Sequence, residues 1–146
     1  MTSLYDRGMA KRREVLGNAH VDRSVGNVSE FAKPVQDLVT EFVWGGIWGR
    51  EGLDPRTRSL LNLVMLTALN RMHEFAVHVR GAVNNGCTRE QIREALLQTA
   101  GYCGAPAALE SFRVAERVLA EIDAAETTAA ETTAAESGAA ETGAAG

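Results

Sequence analysis

The stretch Arg71-Met-His-Glu-Phe-Ala-Val-His78 holds the residues whose types and spacing best fit chemistry. At about 100° per residue, Arg71, Glu74 and His78 cluster on one side of a helix, at i, i+3 and i+7. Glu74 and His78 are one turn apart, so the carboxylate is placed to orient the imidazole and raise its pKa. Such a pair suits proton transfer near neutral pH. His73 and Arg80 fall on the other flank. The same spacing also fits a solvated helix face with an ordinary ion pair, and spacing alone leaves both readings open. A metal site fits less well. His73 and His78 stand about 140° apart around a helix, unlike the i,i+4 histidines of His-Glu-x-x-His.

The elements that must position these residues read as helices. Met72, Phe75, Ala76, Val79 and Val83 form one apolar stripe, which predicts a core-facing side for the 72–84 helix. Asp54-Pro55 is an N-cap followed by proline at the first helical position, opening a helix to about Arg71. Leu60, Leu61, Val64, Met65, Ala68 and Leu69 recur along it at three-four spacing. Asn85-Gly86 stops the next helix, and Thr88 begins a capping box with Gln91. Ile92, Ala95, Leu96 and Thr99 give that helix its inner face, and 107–122 reads as a last amphipathic helix. Upstream, 4–16 and 30–43 read as helices, with 21–28 and 45–52 as loops. No alternating run demands a sheet. The expectation is an all-α bundle of about six helices.

At 146 residues, 45% of them apolar, the chain has room for one domain with a real core. Its net charge of −4 sits in the tail: Glu126, Glu131, Glu136 and Glu141 lie in 124–146, which has no Lys or Arg. Removing those four leaves 15 acidic and 15 basic residues in 1–123. A neutral domain argues against a nucleic-acid partner. No apolar run is long enough for a membrane span, and Met1–Gly8 has no signal-peptide core, so the expected location is cytoplasmic. Cys87 and Cys103 lack C-x-x-C spacing and are expected to pack as small apolar groups. Beyond Asp123 the chain repeats Ala-Ala-Glu-Thr-Thr with no large side chain. Such a segment buries too little to offset its ordering entropy, which predicts a 1–123 domain and a disordered 124–146 tail.

Longer motifs add a resemblance. They are Arg12-Arg-Glu-Val-Leu-Gly17, His20-Val-Asp-Arg-Ser24, Trp44-Gly-Gly-Ile-Trp48 with Gly52-Leu53, and Arg58-Ser-Leu-Leu61. Glu74-x-x-x-His78, Arg80-Gly-Ala82, Asn84-Asn-Gly86, Ile92-Arg-Glu94 and Tyr102-Cys-Gly-x-Pro106 follow in order. Each alone is weak, but their order and spacing over about 4–120 resemble the carboxymuconolactone decarboxylase family. That resemblance implies the helical fold shared with AhpD-type alkyl hydroperoxidases, and assembly as a homo-oligomer, trimer or hexamer. The peroxidase relatives carry C-x-x-C-x-x-x-H on the matching helix. Here Arg71 and Glu74 stand at the two cysteine positions, which excludes peroxidase chemistry by that thiol route. His73, Glu51 and the Ala/Glu/Thr tail depart from the family pattern.

The resemblance implies cofactor-independent decarboxylation, in the protocatechuate branch of the β-ketoadipate pathway, of an unsaturated lactone carrying two carboxylates. The lactone is its own electron sink, so neither cofactor nor metal is expected. His78 is then the expected proton donor, oriented by Glu74, with Arg71 or Arg58 for a substrate carboxylate. His20 is a further candidate from the N-terminal region, and Trp44 and Trp48 would wall an apolar pocket. A site facing away from its own core needs another wall, so a neighbouring subunit is the expected cover for the Arg71/Glu74/His78 face.

Overall fold

This computed structural model describes the backbone of residues 1–143 and the side chains of residues 1–135. Among the described residues there are seven α-helices, one π-helical segment and no strand. They are α1 (Leu4–Leu16), α2 (Asn18–Gly26), α3 (Lys33–Leu38), the π-helical segment Val39–Trp48, α4 (Pro55–Ala68), α5 (Met72–Asn84), α6 (Arg89–Tyr102) and α7 (Ala105–Gly143). No helix is long and apolar enough to cross a membrane among the described residues.

The caps read from sequence are present. Asp54 accepts from the Thr57 amide at 3.0 Å, and Pro55 opens α4. Thr88 and Gln91 close a reciprocal box at the start of α6, satisfying two amides that the helix leaves unpaired. Gly86 ends the α5 turn at φ +81, a conformation that costs glycine little. These helices enclose one core: Leu63 of α4, Phe75, Val79 and Ala82 of α5, Ile92 and Leu96 of α6, and Val114 and Val118 of α7.

The N-terminal third departs from the sequence reading. Residues 21–28 were expected as a loop, yet α2 covers Asn18–Gly26 and buries Val21 completely. The expected 30–43 helix is divided into α3 and a π-helical stretch, and that stretch also takes up part of the expected 45–52 loop. The cause is a close crossing. A Cβ on Gly8 would stand 2.0 Å from the Thr40 carbonyl oxygen, and one on Gly45 2.5 Å from that of Leu4. With no side chain at either position, α1 and the π-helical segment meet backbone to backbone. Wider turns then place Trp44 and Trp48 on the inner side, with Val15, Leu16 and Val21, in a second core.

The composition break at Asp123 is not a structural one. Helix α7 continues through it, which corrects the expected disorder over 124–135; the rest of that expectation, 136–146, lies outside the fully described residues. Ala and Glu are strong helix formers, and extending an anchored helix avoids the cost of nucleation. Thr127, Thr128, Thr132 and Thr133 each donate to the carbonyl four residues back, at 2.9–3.0 Å. Residues 124–135 are all exposed, so they add nothing to the core.

Candidate active site

Helix α5 starts from a tight corner. Asn70 adopts φ +53, and the Arg71 amide donates to the Leu66 carbonyl at 2.9 Å. The helix then lies between both cores, with Phe75 and Val79 in the first and Val77 against the second. His78 is half-buried beneath the π-helical segment. Its ring lies nearly parallel to those of Trp44 (6.2 Å, 7°) and Trp48 (6.4 Å, 16°). The two indoles stack on each other at 5.1 Å. On α4, the Asn62 amide nitrogen is 3.4 Å from His78 Nδ1, in a hydrogen bond whose direction follows the tautomer. On this side His78 is covered by indoles of its own chain.

The electrostatics invert the expectation for this histidine. Burial pushes His78 down from 6.5 to about 4; His20 adds to that fall, and Glu74 opposes it. The imidazole is neutral at pH 7 because apolar surroundings penalise the cation more than a distant carboxylate favours it. Glu74 makes no hydrogen bond to His78. Arg71 takes both of its oxygens, at 2.6 and 3.2 Å, and this holds the Glu74 carboxyl at about 2. The predicted Arg71/Glu74/His78 cluster is thus an exposed ion pair at the start of α5 plus a histidine buried one turn further on. Three residues, not four, separate the charge partners, and the long guanidinium reaches the carboxylate first.

Arg58 lies on the His78 side. Its Nη2 donates to the Arg50 carbonyl at 3.0 Å, and its Nε is buried with no hydrogen-bond partner. Asp54 caps α4 instead of pairing with it. A cavity of about 100 Å³ lies here among Ile47, Trp48, Arg58, Leu61, Asn62 and Met65. Its one charged side chain is a guanidinium with no carboxylate on it. An arginine in that state is a ready receptor for a carboxylate brought by a ligand.

His20 is placed elsewhere. It sits on α2, with Nε2 3.3 Å from Ser24 Oγ, and lines a separate cavity with His73 and Arg80. Its pKa is lowered, first by burial and then by Arg23, Arg12, His73 and Arg80. Two polar residues escaped the sequence reading. Asn62 had a signal, since it follows Arg58 by one turn on the same helix face. Arg12 had only its place in the Arg12–Gly17 motif, with nothing to set it apart from Lys11 and Arg13, yet it is buried, donating to Gln36 and Thr40 at 3.1 and 3.2 Å with no acid beside it. Cys87 is core, and burial raises its thiol pKa. No group of three or more His, Cys, Asp and Glu is placed to hold a metal among the described residues.

Comparison with known proteins now bears on this geometry. The sequence model of the carboxymuconolactone decarboxylase family matches residues 33–117, which hold the indoles, Arg58, Asn62 and α5. Nitrosuccinic acid decarboxylase npaB of Metarhizium robertsii is 40% identical over 119 residues, 82% of this chain and 83% of that protein. The 4-carboxymuconolactone decarboxylase of Acinetobacter baylyi is 38% identical over 118 residues, 81% and 88% respectively. A second protein of that name, from Pseudomonas putida, is 44% identical over 41 residues, 28% of this chain and 85% of that one. A family match over more than half of the residues, joined to two relatives spanning four-fifths of them, places this chain in the carboxymuconolactone decarboxylase family.

Proposed function

We propose that the protein decarboxylates 4-carboxymuconolactone to 3-oxoadipate enol-lactone without a cofactor. The observation that carries this reading is a neutral histidine held against two indoles beside an arginine whose Nε has no partner. Arg58 takes a substrate carboxylate, and the indole wall removes water from the one that departs. The bond from the γ carbon to that carboxylate breaks. Its electron pair spreads through the ring to the lactone carbonyl, CO₂ leaves, and the α carbon takes up one proton. His78 delivers that proton. Its own site disfavours the cation, but a dianionic substrate brings the negative charge that raises its pKa. Asn62 fixes the ring by its bond to Nδ1, the role first expected of Glu74. Arg71, engaged by Glu74, is left with a minor part.

The proposed enzyme is a homo-oligomer. Leu61 and Met65 on α4, with Leu69 at its C-terminal cap, form an exposed stripe, and Leu38 and Phe42 stand exposed one turn apart across the start of the π-helical segment. Leu61 and Met65 also line the Arg58 cavity, so a second copy lying on this stripe would seal it. A second reading has a specific observation behind it, the 40% identity to a nitrosuccinic acid decarboxylase. That compound is also a dicarboxylate with an electron sink next to the carbon that loses CO₂. Turnover of both compounds by purified protein, followed by ultraviolet absorbance, is the test. Faster consumption of the lactone is expected; nitrosuccinate as the better substrate would transfer the assignment, and turnover of neither would overturn it.

A further inference from the structure

A second cavity, of about 250 Å³, opens between α2, α5 and α7, on the flank of α5 that carries His73. Its polar lining is almost entirely basic: His20 and Arg23 from α2, His73 and Arg80 from α5, and Arg117 from α7, against the single acid Glu121. Among the described residues, neither Arg23 nor His73 has a hydrogen-bond or ion-pair partner. Arg80 and Arg117 both reach the Glu121 carboxylate, Arg117 at 3.4 Å. The chain thus already holds one carboxylate on this wall, while the Arg23/His73 side has none. Leu16, Met72 and Val118 supply apolar lining. In a neutral domain, three arginines and two histidines converging from three helices on one concave surface, against one carboxylate, leave positive charge without a protein partner. The His20 pKa is lowered first by burial and then by neighbouring bases, among them Arg23, His73 and Arg80 of this same cavity.

We infer that this cavity is a binding site for a small dicarboxylate. Its basic residues hold the two carboxylates, and its apolar lining meets the carbon skeleton. The volume is just below the roughly 300–1,000 Å³ usual for drug-sized ligands, which suits a compact acid. The inference does not depend on which substrate the Arg58/His78 site takes. The ligand is a separate effector acid, since this cavity shares no lining residue with the one that holds Arg58.

Isothermal titration with succinate at low salt tests it on the full chain. Saturable binding that weakens with added salt is expected. Arg23→Ala and His73→Gln should each weaken it by about tenfold or more, because each removes a charged or polar partner from an anion. Glu121→Gln should tighten it, since the competing carboxylate loses its charge. Arg89→Ala, which removes one positive charge on α6, should leave it unchanged. These side chains are at the surface, and melting curves confirm that each variant is folded. No binding by wild type, or equal binding by Arg23→Ala and His73→Gln, would overturn the inference. So would weaker binding by Glu121→Gln. Inhibition kinetics then separate the two sites: a non-competitive component of succinate inhibition that Arg23→Ala removes is expected, whereas competitive inhibition that Arg23→Ala abolishes would make this cavity the substrate's own and overturn the effector assignment. A protein that turns over neither proposed substrate is still decided by the titration.

Discussion

The two flanks of α5 each present a histidine, and the elements crossing the helix make them different reagents. On one flank His78 lies under Trp44 and Trp48, half-buried, with its pKa brought to about 4. On the other, His73 is exposed among Arg23, Arg80 and Arg117 at the mouth of an open cavity. A π-helical segment closes over the first flank, whereas only α2 and α7 border the second. The difference teaches that residue type and helical face do not set a histidine's role. What covers it does: an apolar cover favours the neutral ring, and a basic open cavity favours an anion.

The largest expected effect that would break this contrast is kinetic. His78→Ala should lower kcat by roughly 10²–10⁴, the usual range for a positioned general acid, while His73→Ala should leave kcat near wild type. The reverse ordering, in folded proteins, would move the chemistry to the other flank.

Acid stability probes the same burial. Above pH 6.5 the His78 ring is neutral in folded and unfolded chains alike, so its contribution is full there. As pH falls from 6.5 to about 4, only the unfolded chain takes the proton, and stability drops. At about 1.4 kcal/mol per pH unit, the loss approaches roughly 3 kcal/mol. Urea melts of wild type and His78→Gln across that range should diverge, with the wild type losing more.

Gly8→Ala tests the cover itself. Its methyl group would collide with the Thr40 carbonyl and push the π-helical segment away. A loss of about 1–3 kcal/mol is expected from overpacking, together with a rise in the His78 pKa read by NMR titration. An unchanged pKa would mean that the indoles do not depend on this crossing. A smaller effect separates the two arginines nearest the His78 flank. Arg58→Ala should raise KM several-fold with kcat less affected, whereas Arg71→Ala should change KM little because Glu74 already occupies it. Smallest of all, truncation after Asp123 should leave both the melting temperature and turnover unchanged, as residues 124–135 bury nothing. A fall of several degrees would show that the extension docks.

The C-terminal helices were legible because their signals are local. Asp54-Pro55, Asn85-Gly86 and Thr88 with Gln91 act within four residues of themselves, and the stripe through Phe75 and Val79 does become core. The N-terminal reading failed where the deciding contact is distant. Gly8 and Gly45 look like ordinary glycines until α1 meets the π-helical segment, 37 positions further along the chain. For the site, His78 and the two tryptophans were findable by motif, but Glu74 as the partner of His78 was not secure. The i,i+4 rule made that pair plausible, yet a competing Arg71 three residues away was equally visible.

By itself, then, the sequence determined an all-helical domain, its C-terminal caps and the helix that presents His73 and His78 on different flanks. Those follow from periodicity and hydrogen bonds between near neighbours, which need no knowledge of the rest of the chain. Tertiary structure alone decided that Trp44 and Trp48 shield His78, that Asn62 rather than Glu74 bonds it, and that His20 joins His73 across a basic cavity. Burial and electrostatic field are sums over everything packed nearby, and they exist only once distant segments have met.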